Sequence, residues 1–381
     1  MENIIENIIE NIGIVQKNIN NLEQKTEYID KDIVKTKNIF RVGSGDFDII
    51  GITRIRRINK CPPVTIVMAP GSNSDFDTSF NKMAVYLAKL NIDIWGIDFR
   101  YSFIPDNINS YPYCLVTGCN FMKDWNTDLH ISDLDVVVKM AEMSSRTGKV
   151  FLAGWSQGGY FAYRYAIDHP SLKGIIPIDI MYNLEPVFTD IADKTRADIA
   201  TRRSAINSGI FYEDVLLIKY IAYQALVNPD IQSVIIPGLT NKQAALFALT
   251  QTYQLGIEPI PNYRFNQGDL VGLKYTDLNY VIQQGLKLNN FQSILAITEL
   301  REQWLIPTIP NITVPIFHVD TEFGFGTYGL YTPNMIHNTN PDVDTYIVPD
   351  YGHADLVYSD TADKDVWQKI HIWMMQHSPT I

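Results

Sequence analysis

The segment Gly154-Trp155-Ser156-Gln157-Gly158-Gly159 restricts the fold of this 381-residue chain more than any other feature. It follows an apolar run with strand character, Val150 to Ala153, and precedes a stretch with helical character, Tyr160 to Ala166. A serine between glycines at such a junction is typical of a nucleophile elbow, in which a strand turns sharply into a helix. The N-terminus of that helix offers unpaired N–H groups to a developing oxyanion. Ser156 is therefore a candidate nucleophile.

A second motif, Gly352-His353-Ala354-Asp355, lies far downstream. It follows a β-like run, Thr345 to Val348, and precedes an amphipathic helix expected from about Asp365 to His377. A histidine in a glycine-containing loop after the last strand is well placed to be the general base for a serine nucleophile. Of the seven histidines, we therefore select His353, and we expect the other six to be surface, capping or core residues.

Strand-like and helix-like segments alternate around these motifs. The runs Thr36 to Val42 and Phe47 to Ile58 predict a hairpin, and the continuous apolar run Val64 to Met68 predicts a buried parallel strand. Helices are expected from about Asp77 to Leu90 and from Asp128 to Met143. This order predicts an α/β fold with a mostly parallel sheet and helices on both faces.

The two motifs and this order of elements resemble the α/β-hydrolase family over residues 36–180 and 311–381. The resemblance implies a serine hydrolase that cleaves a carboxylic ester or related acyl bond through a Ser-His-acid triad and an acyl-enzyme. It also implies an oxyanion hole formed by the backbone N–H groups of Gln157 and Ser72. The chain has Pro70-Gly71 where the family usually has His-Gly, a change that a backbone donor tolerates.

The sequence leaves the triad acid open among three carboxylates. The usual family position, counted along the strand that begins near Pro315, holds Gly324. We favour Glu322, because its extra methylene could cover the missing reach. Asp320 is the first alternative, and Asp179, which directly follows the preceding strand, is the second.

The segment 181–310 is much longer than the connection that the bare fold requires between two strands. In the family that the chain resembles, this is the usual position of a lid. We expect a helical lid, with helices at Asp190 to Asn207, Glu213 to Val227, Gln243 to Leu255 and Phe291 to Trp304. The insert is rich in aromatic residues, a few of which should line a pocket for an apolar acyl or aromatic group of a small-molecule substrate.

Residues 1–35 are assigned to an N-terminal amphipathic helix, because isoleucines at positions 4, 5, 8, 9 and 12 form a stripe at helical spacing. Such a helix either packs on its own domain or pairs with a second copy in a homodimer. Disorder of this segment is the third alternative.

Charge and cysteine usage narrow the possible partners. The net charge is −11 and there is no basic stripe, so nucleic acid is not expected as a partner. No CxxC or zinc-ligand spacing occurs, and neither a metal nor a cofactor is expected. The three cysteines, Cys61, Cys114 and Cys119, are expected to be free thiols, with a local Cys114–Cys119 bridge as the alternative.

No apolar run reaches the length of a membrane span. The N-terminus lacks the basic flank and long apolar stretch of a signal peptide, which favours a cytoplasmic location, although a signal removed earlier would leave no trace.

The same triad could instead serve an acyltransferase or an amide or C–C bond hydrolase. A catalytically silent binding protein would be expected to lack the nucleophile or the base, and this chain has candidates for both.

Overall fold

The computed structural model describes residues 20–108, 110–255, 258–265 and 272–378. Within these ranges the strands are β1 Asn20–Asp30, β2 Ile33–Arg41, β3 Ile49–Arg57, β4 Val64–Ala69, β5 Ile92–Asp98, β6 Asn107–Ile108, β7 Tyr111–Pro112, β8 Phe151–Trp155, β9 Gly174–Ile178, β10 Tyr212–Asp214, β11 Gln251–Leu255, β12 Glu258–Pro261, β13 Phe291–Ser293, β14 Ile316–Thr321 and β15 Val343–Val348. The α-helices are α1 Phe76–Lys89, α2 Tyr113–Thr117, α3 Thr127–Ser144, α4 Gln157–Asp168, α5 Thr189–Asn207, α6 Leu216–Val227, α7 Asn241–Thr250, α8 Leu278–Lys287, α9 Ile294–Trp304, α10 Gly326–Gly329, α11 Tyr331–His337, α12 Asp355–Tyr358 and α13 Gln368–Gln376.

Nine of the described strands form one sheet in the order β1-β2-β3-β5-β4-β8-β9-β14-β15. Strands β1 to β3 are antiparallel, β3 pairs antiparallel with β5, and every pair from β5 through β15 is parallel. All six residues of β4 are buried, as expected for a strand covered on both faces. The predicted α/β architecture with a mostly parallel sheet is therefore confirmed.

Helices cover both faces of the sheet. On one face, Leu134 of α3 and Phe161 of α4 belong to a buried apolar cluster. On the other face, Phe80 of α1 and Trp373 of α13 belong to a second cluster. Because β8, β9 and β14 are parallel neighbours, their carboxyl ends meet at one edge of the sheet, which is where ligands bind in folds of this kind.

The insert between β9 and β14 contains α5 to α9. Three predicted helices start or end elsewhere than expected. Helix α6 starts at Leu216 and α9 at Ile294, because β10 and β13 pair with each other just before them. The last predicted turn of the third helix is strand β11, which pairs with β12. Helix α8, with Gly285 and two glutamines in its sequence, was not predicted.

The N-terminal helix prediction has two outcomes. Residues 1–19, which carry the isoleucine stripe, lie outside the described residues, so the helix predicted there, packed on its own domain or paired in a homodimer, stays a prediction. From Asn20 onward the segment is strand β1, paired with β2. The helix assignment was therefore wrong for residues 20–35, because pairing with the sheet determines the local structure there.

The cysteine prediction also needs correction. Cys114 and Cys119 form a disulfide, while Cys61 is free and exposed. The left-handed backbone of Gly118 and Cys119 reverses the chain after α2, and this brings the two Cα atoms to 4.9 Å. The alternative that the sequence left open for this pair, a local Cys114–Cys119 bridge, is therefore the one that the structure contains.

Of the helices that the structure describes, none combines the length and apolar character needed to cross a membrane.

Candidate functional site

Ser156 lies at the turn between β8 and α4 with φ 55° and ψ −122°. This backbone conformation is unfavourable for a residue with a side chain, and a hydrogen bond from its N–H to the carbonyl of Ile178, 2.9 Å, helps to hold it. The neighbouring glycines are required by close backbone contacts. A Cβ at Gly158 would lie 2.0 Å from the carbonyl oxygen of Ala69, and one at Gly154 would lie 2.0 Å from that of Gly158.

His353 lies in the loop after β15 and is buried. Its Nδ1 is 2.5 Å from Oδ2 of Asp179. Asp179 directly follows β9, the neighbour of the strand that leads to Ser156. Since a carboxylate accepts hydrogen bonds, this contact assigns the proton to Nδ1 and leaves Nε2 as the ring nitrogen that can accept one.

The carboxylate of Asp179 is fully buried and collects several donors. Its Oδ1 accepts hydrogen bonds from the backbone N–H and hydroxyl of Thr321, at 2.7 and 3.0 Å, and from the N–H of Phe325 at 3.2 Å. A Cβ at Gly324 would lie 2.1 Å from Oδ2 of Asp179. Gly324, the position at which the sequence resemblance placed the usual acid, thus packs against a carboxylate that comes from the adjacent strand.

The structure does not bring the favoured acid, Glu322, to this contact. Glu322 is exposed, and its Oε2 accepts a hydrogen bond from the N–H of Asp350 at 2.7 Å. Asp320 is buried, but its side chain leaves β14 on the side opposite to that of Thr321 because side chains alternate along a strand. Its Oδ2 is 2.8 Å from Nε2 of His318, whose Nδ1 is 2.8 Å from the hydroxyl of Tyr163.

The loop expected to supply an oxyanion donor lies against the nucleophile. A Cβ at Gly71 would lie 3.4 Å from Cβ of Ser156 and 2.9 Å from the ring of Trp155. The hydroxyl of Ser72 donates to Oε1 of Gln157 at 3.3 Å. Ser72 and Gln157 are therefore neighbours beside Ser156, and their role as oxyanion donors stays a prediction.

Two residues that the sequence reasoning missed hold the His353 loop. The indole N–H of Trp155 donates to the carbonyl of His353 at 3.2 Å. The buried carboxylate of Asp355 accepts from the N–H of Gly352 and the N–H of Arg264, both at 2.9 Å, and from the hydroxyl of Thr276 at 2.9 Å. Asp355 stands inside the Gly-His-Ala-Asp motif, so its position was visible but its role was not.

Ser156 and His353 line one cavity of about 600 Å³. Much of its remaining wall belongs to the insert, whose apolar contributions include Ile191, Ile218, Leu249, Val281, Ile297, Leu300 and Trp304. The insert also contributes Lys194, Asp198, Arg202, Glu213 and Arg301. Arg202 lies between two of these carboxylates, contacting Glu213 and donating to Asp198 at 2.9 Å. The cavity therefore has both an apolar and a charged wall.

Among the residues that the structure describes, no group of three or more His, Cys, Asp or Glu side chains is arranged to hold a metal ion.

Comparison with known proteins supports the fold alone. No protein-family model matches the chain, and no curated protein matches it in sequence. Among solved structures, it is similar to a candidate lipase from Sulfolobus solfataricus, with TM-score 0.67 and 18% identity over 93% of this chain and 99% of the other. It is also similar to a soluble variant of monoglyceride lipase from Saccharomyces cerevisiae, with TM-score 0.51 and 13% identity over 95% and 97% of the two chains.

We predict a pH-dependent effect of Asp355→Asn on stability. Burial raises the pKa of Asp355 to about 6, above the roughly 3.9 of an unfolded chain. Between about pH 4 and 6 the folded state then binds more protons at this site than the unfolded state, so its contribution to the free energy of unfolding falls as pH rises. We therefore expect the free energy of unfolding of the variant, relative to that of the wild type, to rise by on the order of 1–3 kcal/mol between pH 4 and 7. Urea unfolding at both pH values measures this change.

Asp350→Asn is the matched control, because hydrogen bonds from Lys274 and Tyr275 lower the pKa of Asp350 to about 2. The contribution of Asp350 to the free energy of unfolding is present above about pH 4 and is lost as pH falls. The free energy of unfolding of Asp350→Asn, relative to that of the wild type, should therefore fall between pH 4 and 7. This change should be small, since the group is near the surface. A difference for Asp355→Asn that stays constant with pH would contradict the prediction.

Proposed function

We propose, from the α/β-hydrolase fold that the chain shares with these structures, that it is a serine hydrolase of carboxylic esters or related acyl bonds. One observation carries this proposal: Nδ1 of His353 contacts Oδ2 of Asp179 at 2.5 Å, and Ser156 lies on the same cavity as His353. A nucleophile at a strained turn, a buried imidazole and a buried carboxylate in this order are the components of acyl transfer through a covalent intermediate.

In the proposed mechanism, Oγ of Ser156 attacks the carbonyl carbon and Nε2 of His353 accepts the hydroxyl proton. The tetrahedral oxyanion is stabilised by the backbone N–H groups of Gln157 and Ser72. His353 then gives its proton to the leaving alcohol, and the acyl-enzyme forms. A water molecule, deprotonated by His353, attacks the acyl-enzyme. His353 then returns this proton to the departing Oγ of Ser156, which releases the carboxylic acid and restores the free enzyme.

We propose Asp179 as the acid, in place of Glu322. Its contact with Nδ1 keeps the imidazole in the required tautomer and stabilises the imidazolium formed during the reaction. The donors from Thr321 and Phe325 bind Oδ1 of this buried carboxylate and hold it in place, with Oδ2 facing His353.

We propose residues 181–310 as a lid that selects the substrate. The insert supplies apolar wall residues of the cavity that contains Ser156, which fits the apolar acyl or aromatic group expected from the sequence. The charged wall formed by Arg202 and its partners suits a polar group elsewhere in the substrate. A volume of about 600 Å³ is within the usual range for a small-molecule site.

Ser156→Ala should abolish turnover of a p-nitrophenyl acyl ester, apart from a small residual rate due to binding and the oxyanion hole. The wild type should react covalently with a fluorophosphonate probe, whereas the variant should not. Circular dichroism should show that the variant is folded. Wild-type activity in Ser156→Ala would exclude the proposed nucleophile, and a wild type inactive toward both reagents would exclude the function.

Asp179→Asn should lower kcat by on the order of 10³-fold or more, since an asparagine can neither enforce the tautomer nor stabilise the imidazolium. Glu322→Gln and Asp320→Asn are controls of the same chemistry at the two carboxylates that the sequence ranked higher. Glu322→Gln should remain near the wild-type rate on the same ester. If Glu322→Gln were the most damaging of the three changes, Asp179 would not be the acid.

Leu300→Phe should narrow the cavity, because Leu300 lines it from α9 and is buried. We expect kcat/KM for a p-nitrophenyl octanoate to fall by on the order of tenfold relative to the acetate, equivalent to about 1.4 kcal/mol. Leu226→Phe, an exposed position on α6, is the control and should leave the ratio unchanged. Equal effects on both esters, or equal effects of both variants, would argue against selection by the insert.

A further inference from the structure

The oxyanion loop, residues 70–74, is held from two sides by buried hydrogen bonds. Within the loop, the hydroxyl of Ser74 donates to the carbonyl of Gly71 at 2.9 Å. This hydroxyl also lies 2.7 Å from that of Ser79, which accepts the N–H of Gly71 at 3.3 Å. Both serines are about 1% exposed. The two peptide units that flank Gly71 are thus fixed by side chains inaccessible to solvent.

One of these peptide units contains the proposed oxyanion donor. The carbonyl of Gly71 and the N–H of Ser72 belong to the same planar trans peptide, so they point in opposite directions. Fixing the carbonyl oxygen through Ser74 therefore fixes the direction of the Ser72 N–H. The side chain of Ser74, which also borders the cavity, can in this way aim the N–H that is proposed to bind the oxyanion.

The next residue is held by the insert. Asn73 is buried and has φ 54°, a left-handed conformation that is unfavourable for a residue with a side chain. Its N–H donates to Oε1 of Gln292 at 3.1 Å, and its carbonyl accepts the N–H of Asn289 at 2.6 Å. Its side-chain amide donates to the carbonyl of Asn289 at 3.3 Å. Three hydrogen bonds to residues of the insert thus keep Asn73 in this conformation.

Gln292 is itself fixed within the insert. It belongs to β13 and pairs with Glu213 of β10, and its side-chain amide donates to Oε2 of Glu213 at 3.3 Å. The side chain of Gln292 is therefore buried, and both its amide oxygen and its amide nitrogen are hydrogen-bonded.

From these contacts we propose that Ser74 and Gln292 are positioning residues for the oxyanion hole, and that the insert is part of the catalytic apparatus. Ser74 orients the peptide that carries the donor, and Gln292 holds the left-handed residue that follows it. The inference rests on the proposed function, because it concerns the donor of the proposed reaction.

The test uses the full chain with Ser74→Ala and Gln292→Met, which each remove one side-chain partner of the loop with little change in volume. Each variant should lower kcat for a p-nitrophenyl ester by on the order of tenfold to a hundredfold, less than the effect of losing a whole oxyanion donor, and leave KM near the wild-type value. Affinity for a boronic acid, which forms a tetrahedral adduct with the serine, should fall by the same factor as kcat.

Thr298→Val is the matched control. Thr298 is buried in α9 and donates its hydroxyl to the carbonyl of Ile294 at 2.6 Å, so the variant also loses a buried hydrogen bond but not one to the loop. Its kcat, KM and boronic-acid affinity should stay near the wild-type values, even if its thermal midpoint falls as much as that of the other variants.

The proposal is overturned if both variants retain wild-type kcat, if they raise KM instead of lowering kcat, or if kcat falls while boronic-acid affinity is unchanged. Ser74→Ala and Gln292→Met act on opposite sides of the loop, so loss of folding in one leaves the other as a test. A wild type that turns over the ester through Ser156, combined with unaffected variants, would remove this inference and leave the proposed function intact.

Discussion

The contact between His353 and Asp179 determines much of the architecture around it. A carboxylate buried as deeply as that of Asp179 needs hydrogen-bond donors for all of its oxygen atoms. Thr321 and Phe325 provide these donors from β14 and the loop that follows it, and His353 provides another from the loop after β15. The carboxyl ends of β9, β14 and β15 must therefore remain in register for the carboxylate of Asp179 to keep its hydrogen bonds.

The insert is tied to the same region through its own backbone. The N–H of His353 donates to the carbonyl of Pro261 at 3.0 Å, and that of Ala354 donates to the carbonyl of Asn262 at 2.7 Å. Further along the insert, Asn289 and Gln292 hold Asn73. One stretch of the insert thus supports the loop of the proposed base, and another supports the loop of a proposed oxyanion donor.

Sequence reasoning located the features whose causes are local. The elbow around Ser156 and the glycine-containing loop of His353 are short patterns produced by backbone geometry, and the sheet follows from the alternation of apolar strands and helices. The acid could not be placed in this way, because the neighbouring strands β9 and β14 both offer carboxylates at their carboxyl ends. What decides among them is the direction of a side chain, which for Asp320 is toward His318 and for Asp179 is toward His353. The partnership of Asn73 with Gln292 spans 219 positions, and no local pattern records it.

The position of Asp179 has a consequence for how this chain can be re-engineered. Residues 151–179 run from β8 through α4 and β9 to the carboxylate, and they carry the proposed nucleophile and acid on one continuous strand–helix–strand module. The insert begins only after that module, so a replacement insert grafted from another protein would leave the spacing between Ser156 and Asp179 intact. Such a chimaera would still need to reproduce the contacts of the insert with Asn73, with the backbone of His353 and with the carboxylate of Asp355. The segment that carries Ser156 and Asp179 would thus keep its geometry with any insert, whereas the loops of His353 and Asn73 would keep theirs only with an insert that makes the same contacts.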